Sequence, residues 1–579
     1  MDRFEARFGE SEWVEGLRKL LDAHGHDVVS DLAPSSWGLV AAMLHRIEPG
    51  RPLLVVAPGL KHQEALCQDL QTWRDWLSGG AESEDEDPPA TVERGPFFFP
   101  AWETLPHEAK LSHADVISER LETLLALRGL DESQRKPGPI IVANATALLQ
   151  KTFPPDEFTR RVRSIAVGDP CDPLDLVEWL ESQAYEPEAK VTQKGDLALR
   201  GGIVDAFPLA SPWPVRIEFF GNEIESIRYF DPQTQISLEK VASVELSPAG
   251  EFGILLHEVE NADDPGDKVA SLLDHLPRST VLIVCEPESV EDHAGDYLAQ
   301  IPEEDVFSLS WDEVLSQARR RGFRLLEFSS QGDEECADPV DHDTGALVGD
   351  SEGKETDVPA FESLESYRPL DARAPALQVV ERQRQQFFEQ MHRWLRQGYR
   401  IDVFCNNQGE RDRFVEIWDE LGWARESYQG ELSIEIGILG RGFHVETARW
   451  AVVTDAEIFG RYKVQRPRRL KSKHAAAVKS ALEIDFADLI EGDFVVHLQH
   501  GIGRFMGLQQ MEQTRSQAEA DQPPTAGPEC LVIEYASKDA DQSPPRLYVP
   551  VTEAHLISKY VGAGKASPPL NTLGGSRWN

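Results

Sequence analysis

Residues 52–58 read PLLVVAP, a short apolar run with no polar residue between its two prolines. Runs of this kind are typical of strands in a parallel sheet, because helices cover both faces of such a sheet. Four further runs have a similar character: PIIVA at 139–143, TVLIVC at 280–285, RIDVFC at 400–405 and WAVVT at 450–454. The sequence therefore predicts α/β layers over much of the chain.

Two stretches between these runs predict helices with one apolar face. In residues 114–128 the apolar face contains Val116, Ile117, Leu121, Leu124 and Leu125. In residues 379–397 it contains Val380, Phe387, Met391 and Leu395.

Two regions have a different pattern, in which apolar and polar residues alternate. Residues 195–231 alternate between turns that contain Pro and Gly, which predicts an antiparallel β segment. Residues 492–509 and 529–550 alternate in the same way around the polar loop 515–528, which predicts a small separate β domain.

Length and charge limit the class of protein. A chain of 579 residues predicts about four domains at ~150 residues each. Lys and Arg number 58 and Asp and Glu number 100, so the net charge is −42. This excludes a generally basic nucleic-acid coat, because the mean field repels phosphate.

Cysteine usage and hydropathy indicate a cytoplasmic protein without a membrane partner. The six cysteines show no CxxC spacing, which argues against a zinc site and a disulfide framework. The N-terminus MDRFEARFGE is charged from its second residue, and no run of ~18 apolar residues is present.

The loop at residues 31–44, DLAPSSWGLVAAML, stands where a nucleotide-binding loop is expected. Such a loop requires Lys and Ser/Thr at the mouth of the helix, and Trp37 and Gly38 occupy those places. We therefore expect no ATP site, no catalytic residue and no cofactor in this chain. A metal is not expected either, because His497, His500 and His555 have no further ligand at convincing spacing.

Residues 460–473, GRYKVQRPRRLKSK, contain seven basic residues in fourteen within an acidic chain. They are interpreted either as a solvated linker or as a contact to the phosphates of double-stranded DNA. The candidate phosphate contacts are Lys463, Arg466, Arg468, Arg469 and Lys471.

The β segment 195–231 contains a second candidate surface. Alternation places Arg216, Glu218 and Phe220 on one face of a strand, with Arg200 nearby and Phe219 also interpreted as exposed. Arginine and aromatic residues together are common interface anchors. The alternative is an ordinary amphipathic strand.

Several ordered blocks resemble the bacterial transcription-repair coupling factors. LRGGIVDAFPLASPWPVRIEFFGNEIESIRYFD (199–231) resembles their second domain and the matching domain of excinuclease B, and FFPAWETLPHEAKLSHADVISERLETLLAL (98–127) is similar to their first domain. GDFVVHLQHGIGRFMGL (492–508) and CLVIEYASKDADQSPPRLYVPVTEAHLISKYVG (530–562) resemble their RNA-polymerase-interacting domain, which CarD-type regulators share. PPLNTLGGSRW (568–578) resembles the stretch that joins this domain to the motor.

The resemblance implies binding residues for two partners. For excinuclease A, the damage-recognition protein of the excinuclease, it implies Arg200, Arg216 and Phe220, with Glu218 where the family has an acid. For the β chain of RNA polymerase it implies a surface on 501–512 and 530–536. The candidates there are Phe505, Leu508, Met511 and Ile533.

The resemblance also implies an organisation. It comprises a degenerate P-loop, helicase-like α/β domain (1–151 and 251–345), an inserted antiparallel β domain that binds excinuclease A (152–250), an acidic linker (346–364), a small α/β domain of unknown role (365–460), a basic linker (461–483), a small CarD- or Tudor-like β-barrel (484–562) and a linker towards the motor (563–579). The family continues into two motor domains with Walker motifs, which use ATP and Mg, and this sequence ends before them.

The expected function is that of an adaptor, which binds stalled RNA polymerase and recruits excinuclease A. The alternatives are an ATP-dependent DNA translocase, as in the complete family, and a plain DNA-binding protein that uses residues 460–473.

Overall fold

The structure is a computed structural model. It describes residues 3–8, 11–23, 25–79, 95–108, 112–128, 130, 137–302, 304–330, 358–367, 377–420, 429–459, 494–497, 501–512, 526–536, 544–550 and 557–559. The chain divides into two compact units, Met1–Arg469 and Leu470–Asn579.

The strands of the first unit, within the described residues, are β1 His26–Val29, β2 Leu53–Ala57, β3 Phe97–Phe99, β4 Ile140–Asn144, β5 Arg163–Ala166, β6 Glu186–Pro187, β7 Asp196–Arg200, β8 Ile203–Ala206, β9 Val215–Phe220, β10 Glu223–Phe230, β11 Ser237–Val241, β12 Ser243–Leu246, β13 Val281–Cys285, β14 Arg324–Phe328, β15 Glu362–Ser363, β16 Arg400–Cys405, β17 Glu431–Ile436, β18 Phe443–Val445 and β19 Trp450–Thr454.

Its α-helices, within the same residues, are α1 Arg3–Phe8, α2 Glu12–Asp22, α3 Trp37–Ile47, α4 Leu60–Leu77, α5 Ala114–Leu127, α6 Ala145–Leu149, α7 Pro155–Arg160, α8 Pro173–Ser182, α9 Phe252–Glu260, α10 Pro287–Leu298, α11 Trp311–Arg321, α12 Leu377–Arg396, α13 Gln408–Glu420 and α14 Asp455–Phe459. Short 3-10 turns lie at Pro34–Ser36, Pro106–Glu108, Pro265–Lys268, Leu272–His275 and Glu365–Tyr367.

The first sheet has six strands in the order β1-β14-β13-β2-β4-β3, and every neighbouring pair is parallel. Strand β2 shows why its sequence is apolar throughout. Leu53 and Val55 pack into the core on the side of α3 and α4, whereas Leu54 and Val56 pack into the core on the other side. The predicted α/β class is confirmed here, while the helicase-like P-loop relation stays a prediction.

The second sheet, in the order β11-β10-β9-β8-β7-β6, is antiparallel except for the short β6–β7 pair. This confirms the antiparallel segment predicted over 195–231. Its inner face packs on α8 through a core that includes Leu176, Leu180, Val204, Ile217 and Ile227. We refer to it as the inserted sheet, because the first sheet resumes after it with β13.

The two chain segments that connect the first sheet to the inserted sheet are hydrogen-bonded to each other. Strands β5 and β12 form an antiparallel pair of their own. Just beyond β12, the fully buried Glu251 accepts hydrogen bonds from Arg120 Nε and Nη2 at 2.7 and 2.9 Å. Thr152 Oγ1 and Trp102 Nε1 also donate to Glu251, at 2.7 and 3.0 Å. The carboxylate is therefore fully paired, which is the condition for burying a charge without a large penalty.

The third sheet, in the order β15-β18-β19-β16-β17, contains the predicted strands β16 and β19, which are parallel neighbours in the structure. One of its faces shares a core with the first sheet. Trp73 on α4 has its ring 5.2 Å from that of Phe404, 6.1 Å from that of Phe443 and 6.3 Å from that of Trp450. The helix α4 therefore lies between two sheets, and α12 and α13 cover the far side.

The sequence predicted an acidic linker over 346–364, and the described end of that range differs from the prediction. Phe361 and Leu364 are buried, and β15 between them pairs with β18. Two apolar residues at the end of an acidic stretch are sufficient to dock this segment, and charge composition averaged over the window hides them.

The predicted helices are present as α5 and α12. On α5, Val116, Ile117, Leu121 and Leu124 are buried and Leu125 is partly buried. On α12, the predicted Phe387, Met391 and Leu395 are buried, and the side chain of Val380 lies outside the described residues.

The second unit contains one antiparallel sheet, within the residues described, of β20 Phe494–His497, β21 Gly501–Glu512, β22 Ala526–Glu534, β23 Arg546–Pro550 and β24 Ile557–Lys559. Its order is β23-β22-β21-β20-β24. The alternating segments were thus assigned to strands correctly, while closure into a barrel stays a prediction. Over the described part of both units, no helix is long and apolar enough to cross a membrane.

Candidate functional site

Strand β9 divides its side chains between the two faces of the inserted sheet. Val215, Ile217 and Phe219 are buried. Phe220, at the end of the strand, has 80% of its surface exposed. The interpretation of Phe219 as exposed was therefore wrong, because strict alternation places Phe219 on the inner face whenever Phe220 points outwards.

The Phe220 ring is presented by a tight hairpin. Phe220 pairs with Glu223 across β9 and β10, and Gly221 between them has φ +63°. An L side chain is strained in this left-handed region, so glycine suits the turn. The outcome is a large apolar ring at the tip of a rigid hairpin, exposed to solvent.

Two of the predicted arginines converge on one carboxylate that sequence reasoning missed. Asp205 on β8 is fully buried, and Arg216 donates to it through Nε at 2.8 Å and through Nη2 at 2.9 Å. Arg200 donates to the same carboxylate through Nη2 at 2.5 Å. The signal that would have found Asp205 is its register, since it pairs with Arg216 across β8 and β9.

The two arginines differ in exposure. The Arg216 side chain is 16% exposed and that of Arg200 is 48% exposed. Arg216 also stacks over the Phe230 ring, with its Cζ 4.5 Å from the ring centroid. Its hydrogen bonds to Asp205 raise the pKa of the Arg216 guanidinium above its ordinary value. Arg216 is thus a fixed, mostly covered cation.

Glu218 lies on the same outer face and is also paired. Arg228 on β10 forms an ion pair with it, and Ser226 Oγ donates to its Oε2 at 2.6 Å. These hydrogen bonds, that from Arg228 first, lower the pKa of the Glu218 carboxyl below its usual range. Phe220 and Arg200 are therefore the members of the predicted set that face outwards with the least cover.

The loop at 31–44 turns its polar groups inwards. Trp37 is buried, and its Nε1 donates to the Leu32 carbonyl at 3.2 Å. Ser36 Oγ donates to the Ala33 carbonyl at 2.8 Å. Leu32 also bridges to Phe361, so a chain segment of this protein lies against the loop. The side chains of Ser36 and Trp37 therefore pack inside the protein, at positions where a phosphate-binding loop has a hydroxyl and a cation that face the ligand.

Gly38 has a packing reason of its own. A Cβ at this position would lie 3.0 Å from Asp69 Cβ on α4. The glycine therefore allows α3 and α4 to approach closely.

In the second unit, two of the four predicted polymerase contacts have buried side chains. Phe505 and Ile533 are buried and pair across β21 and β22, where they form the core with Val495, Leu531 and Val549. The side chains of Leu508 and Met511 lie outside the described residues. Large apolar residues on alternating strands fill the inner face first, which the sequence interpretation did not allow for.

The opposite face of this sheet carries polar and aromatic side chains beside the buried Val532. Arg504 lies with its Cζ 5.4 Å from the Phe494 ring centroid, and its register partner Glu534 forms an ion pair with Arg546 at 3.6 Å. Tyr548 on the same face is 39% exposed.

The basic residues Lys463, Arg466, Arg468, Arg469 and Lys471 lie outside the described residues, as do His500 and His555 and the side chain of His497.

Two family models match the chain. Residues 164–252, which span the inserted sheet, match the UvrB interaction domain. Residues 489–561, which span the sheet of the second unit, match the CarD-like/TRCF RID domain. The chain thus belongs to the class of multidomain proteins that combine α/β sheets with two domains of the interaction type.

Curated relatives extend this likeness over most of the chain. A transcription-repair-coupling factor of Bacillus subtilis is 24% identical over all of this chain and 49% of its own length. Those of Haemophilus influenzae and Staphylococcus aureus are 25% and 26% identical over 83% of this chain and 42% of their own length. The chain spans about half the length of these relatives or less. Together with the two domains, they confirm the resemblance to the N-terminal region of a transcription-repair coupling factor.

Proposed function

We propose that this chain is an adaptor in transcription-coupled nucleotide excision repair, which binds stalled RNA polymerase and recruits excinuclease A. The observation that supports it most is the presence of both matched interaction domains in one chain. Bacterial polymerase and excinuclease are cytoplasmic, so the proposed place of action is the cytoplasm.

The proposed surface for excinuclease A is the outer face of the inserted sheet around Arg200 and Phe220. Phe220 offers an exposed ring on a rigid hairpin, and such a ring acts as an anchor when a partner pocket covers it. Arg200 offers a half-exposed guanidinium on the same face. An aromatic anchor and an arginine together satisfy the usual composition of an interface hot spot.

The proposed polymerase contact lies in residues 484–562. Since Phe505 and Ile533 lie in the core of the second unit, the proposed contact uses Leu508 and Met511, or the outer face that carries Tyr548 and Arg504.

Titration of the full chain against purified excinuclease A tests the first contact. We expect Phe220→Ala and Arg200→Ala each to weaken binding by on the order of 2 kcal/mol. Leu174→Ala is a matched control, because Leu174 is 59% exposed on α8, which covers the other face of the sheet. No complex at micromolar concentration, or equal affinity of all variants, would refute the proposed site.

A bridging experiment tests the adaptor role as a whole. Immobilised RNA polymerase should retain excinuclease A only when this chain is present. Tethering raises the effective concentration of the second partner, to ~mM for a short flexible connection. Retention that does not depend on the chain contradicts the proposal.

A further inference from the structure

We propose that Asp205 is a positioning residue of the outer face of the inserted sheet: it orients Arg200 towards a carboxylate or carbonyl group of the partner, which Asp205 itself does not touch. The inference rests on the proposed binding of excinuclease A and adds to it the residue that prepares the surface.

The carboxylate of Asp205 is out of reach of a partner. Its side chain is 1% exposed, and both of its oxygens accept hydrogen bonds from arginines. Oδ1 accepts from Arg216, and Oδ2 accepts from Arg216 and Arg200. Any influence of Asp205 on binding therefore passes through these two side chains.

Arg216 neutralises the charge of Asp205. It uses two nitrogens on the carboxylate, stacks on Phe230 and reaches the Gln235 carbonyl with Nη1 at 3.4 Å. A cation held by three groups and 16% exposed has little left to offer a partner.

Arg200 is arranged differently. In the described part of the chain it makes one contact of this kind, from Nη2 to Asp205, and 48% of its side chain is exposed. Arg200, Arg216 and Asp205 together have a net charge of +1. Most of this charge is accessible to a partner at Arg200, which is the more exposed of the two cations. A guanidinium held through Nη2 alone keeps the N–H groups of its other two nitrogens for a partner, and its planar fork suits bidentate recognition of a carboxylate.

Fixing Arg200 before binding has a physical benefit. A free arginine on a strand end samples many rotamers and loses that freedom when a partner binds, whereas an arginine already held by Asp205 loses less. The neighbouring ion pair of Glu218 with Arg228 is neutral as a whole, so it leaves the positive charge at Arg200 in place.

The test is a double-mutant cycle in the full chain, with affinity for excinuclease A measured below the unfolding transition of every variant. Asp205→Asn and Arg200→Ala should each weaken binding by at least about tenfold. Asp205→Asn should have little further effect in a chain that already carries Arg200→Ala, because the two act as one unit.

Asp196→Asn is the matched control for structural damage. Asp196 is another buried carboxylate of the same sheet, and it accepts from the backbone of Thr192 and Gln193 at 2.8 Å. Its replacement should lower the melting temperature and leave the affinity of the folded protein unchanged.

Arg200→Lys gives a result that does not depend on the folding of an Asp205 variant. It keeps the charge and loses the planar fork, so we expect affinity to fall about tenfold. Wild-type affinity of Arg200→Lys, wild-type affinity of Asp205→Asn beside a weak Arg200→Ala, or independent effects of the two substitutions overturns the inference alone. Absence of binding by the unaltered chain overturns the proposed function and this inference with it.

Discussion

Arg7 and Asp402 form a bidentate ion pair that joins the first helix of the chain to the third sheet. Arg7 Nη1 lies 3.2 Å from Asp402 Oδ2, and Nη2 lies 3.1 Å from Oδ1. Asp402 is fully buried and also accepts from Trp450 Nε1 at 2.7 Å. The N-terminal helix therefore supplies the closer of two cations that pair with this carboxylate, the other being Arg400 at 3.5 Å.

Arg7→Ala should destabilise the first unit by about 3–5 kcal/mol, because it leaves Asp402 buried without its main cation. Arg3→Ala is the matched control. Arg3 pairs with Glu435 on the same helix and sheet, but its side chain is 35% exposed, so its loss should cost less than about 1 kcal/mol. Urea unfolding of both variants measures the difference, and equal losses would contradict the burial argument.

Asp69 predicts a pH dependence of stability. It is buried between α4 and the third sheet, accepts from the Gly440 backbone N–H at 2.8 Å, and burial raises its pKa from 3.8 to about 7. A raised folded-state pKa contributes stability that is fully present below pH 3.8 and is lost as pH rises through about 7.

Asp69→Asn should therefore leave stability almost unchanged near pH 4 and raise it by up to roughly 4 kcal/mol at pH 8, since one pKa unit corresponds to about 1.4 kcal/mol. Denaturant unfolding at the two pH values measures this. Asp75→Asn on the exposed side of α4 is the control and should show no such difference. A variant that gains nothing at pH 8 would show that Asp69 is charged at no cost.

Arg216→Ala should destabilise the inserted sheet by about 3 kcal/mol, because Asp205 then keeps only Arg200 as a cation. Arg228→Ala, which breaks the partly exposed pair with Glu218, should cost about 1 kcal/mol or less. Thermal unfolding ranks the two. If Arg216→Ala is the milder change, Asp205 is not the buried charge that its exposure indicates.

Two substitutions in the second unit, Phe505→Ala and Tyr548→Ala, should distinguish a residue needed for folding from a residue that contacts RNA polymerase. Phe505 fills the core of the sheet, so its truncation should cost about 3–5 kcal/mol and unfold the unit. Tyr548 is part exposed, and Tyr548→Ala should keep the fold and weaken RNA polymerase binding if the outer face is used. Circular dichroism and pull-down of polymerase measure the two effects. A folded Tyr548→Ala chain with full binding would exclude Tyr548 and leave Leu508 and Met511 as the candidates.

The sequence predicted where the strands lie, but it did not predict which strands pair with one another. The apolar runs at β2, β4 and β13 identify buried strands, since both faces of each are covered. Their order, with β13 beside β2 although more than 200 residues separate them in the chain, depends on packing that no local pattern contains.

The site was predicted in part for a related reason. Alternation along β9 placed Arg216, Glu218 and Phe220 on one face, and the structure has them there. It could not show that Asp205, on another strand, accepts hydrogen bonds from two nitrogens of Arg216. Cross-strand partners become visible only when the register is known, and register is set by the turns and by the whole sheet.

The paired strands β5 and β12 give the inserted sheet a mechanical property. The chain enters through one and leaves through the other, and the two are hydrogen-bonded to each other before they reach the body of the first sheet. A force applied to the Phe220 hairpin is therefore transmitted through two hydrogen-bonded strands. The buried ion pair of Arg120 and Glu251 lies where these strands join the first sheet. The inserted sheet is therefore joined to the first sheet by two connected strands, and we expect a partner bound at the Phe220 hairpin to move with the rest of the first unit.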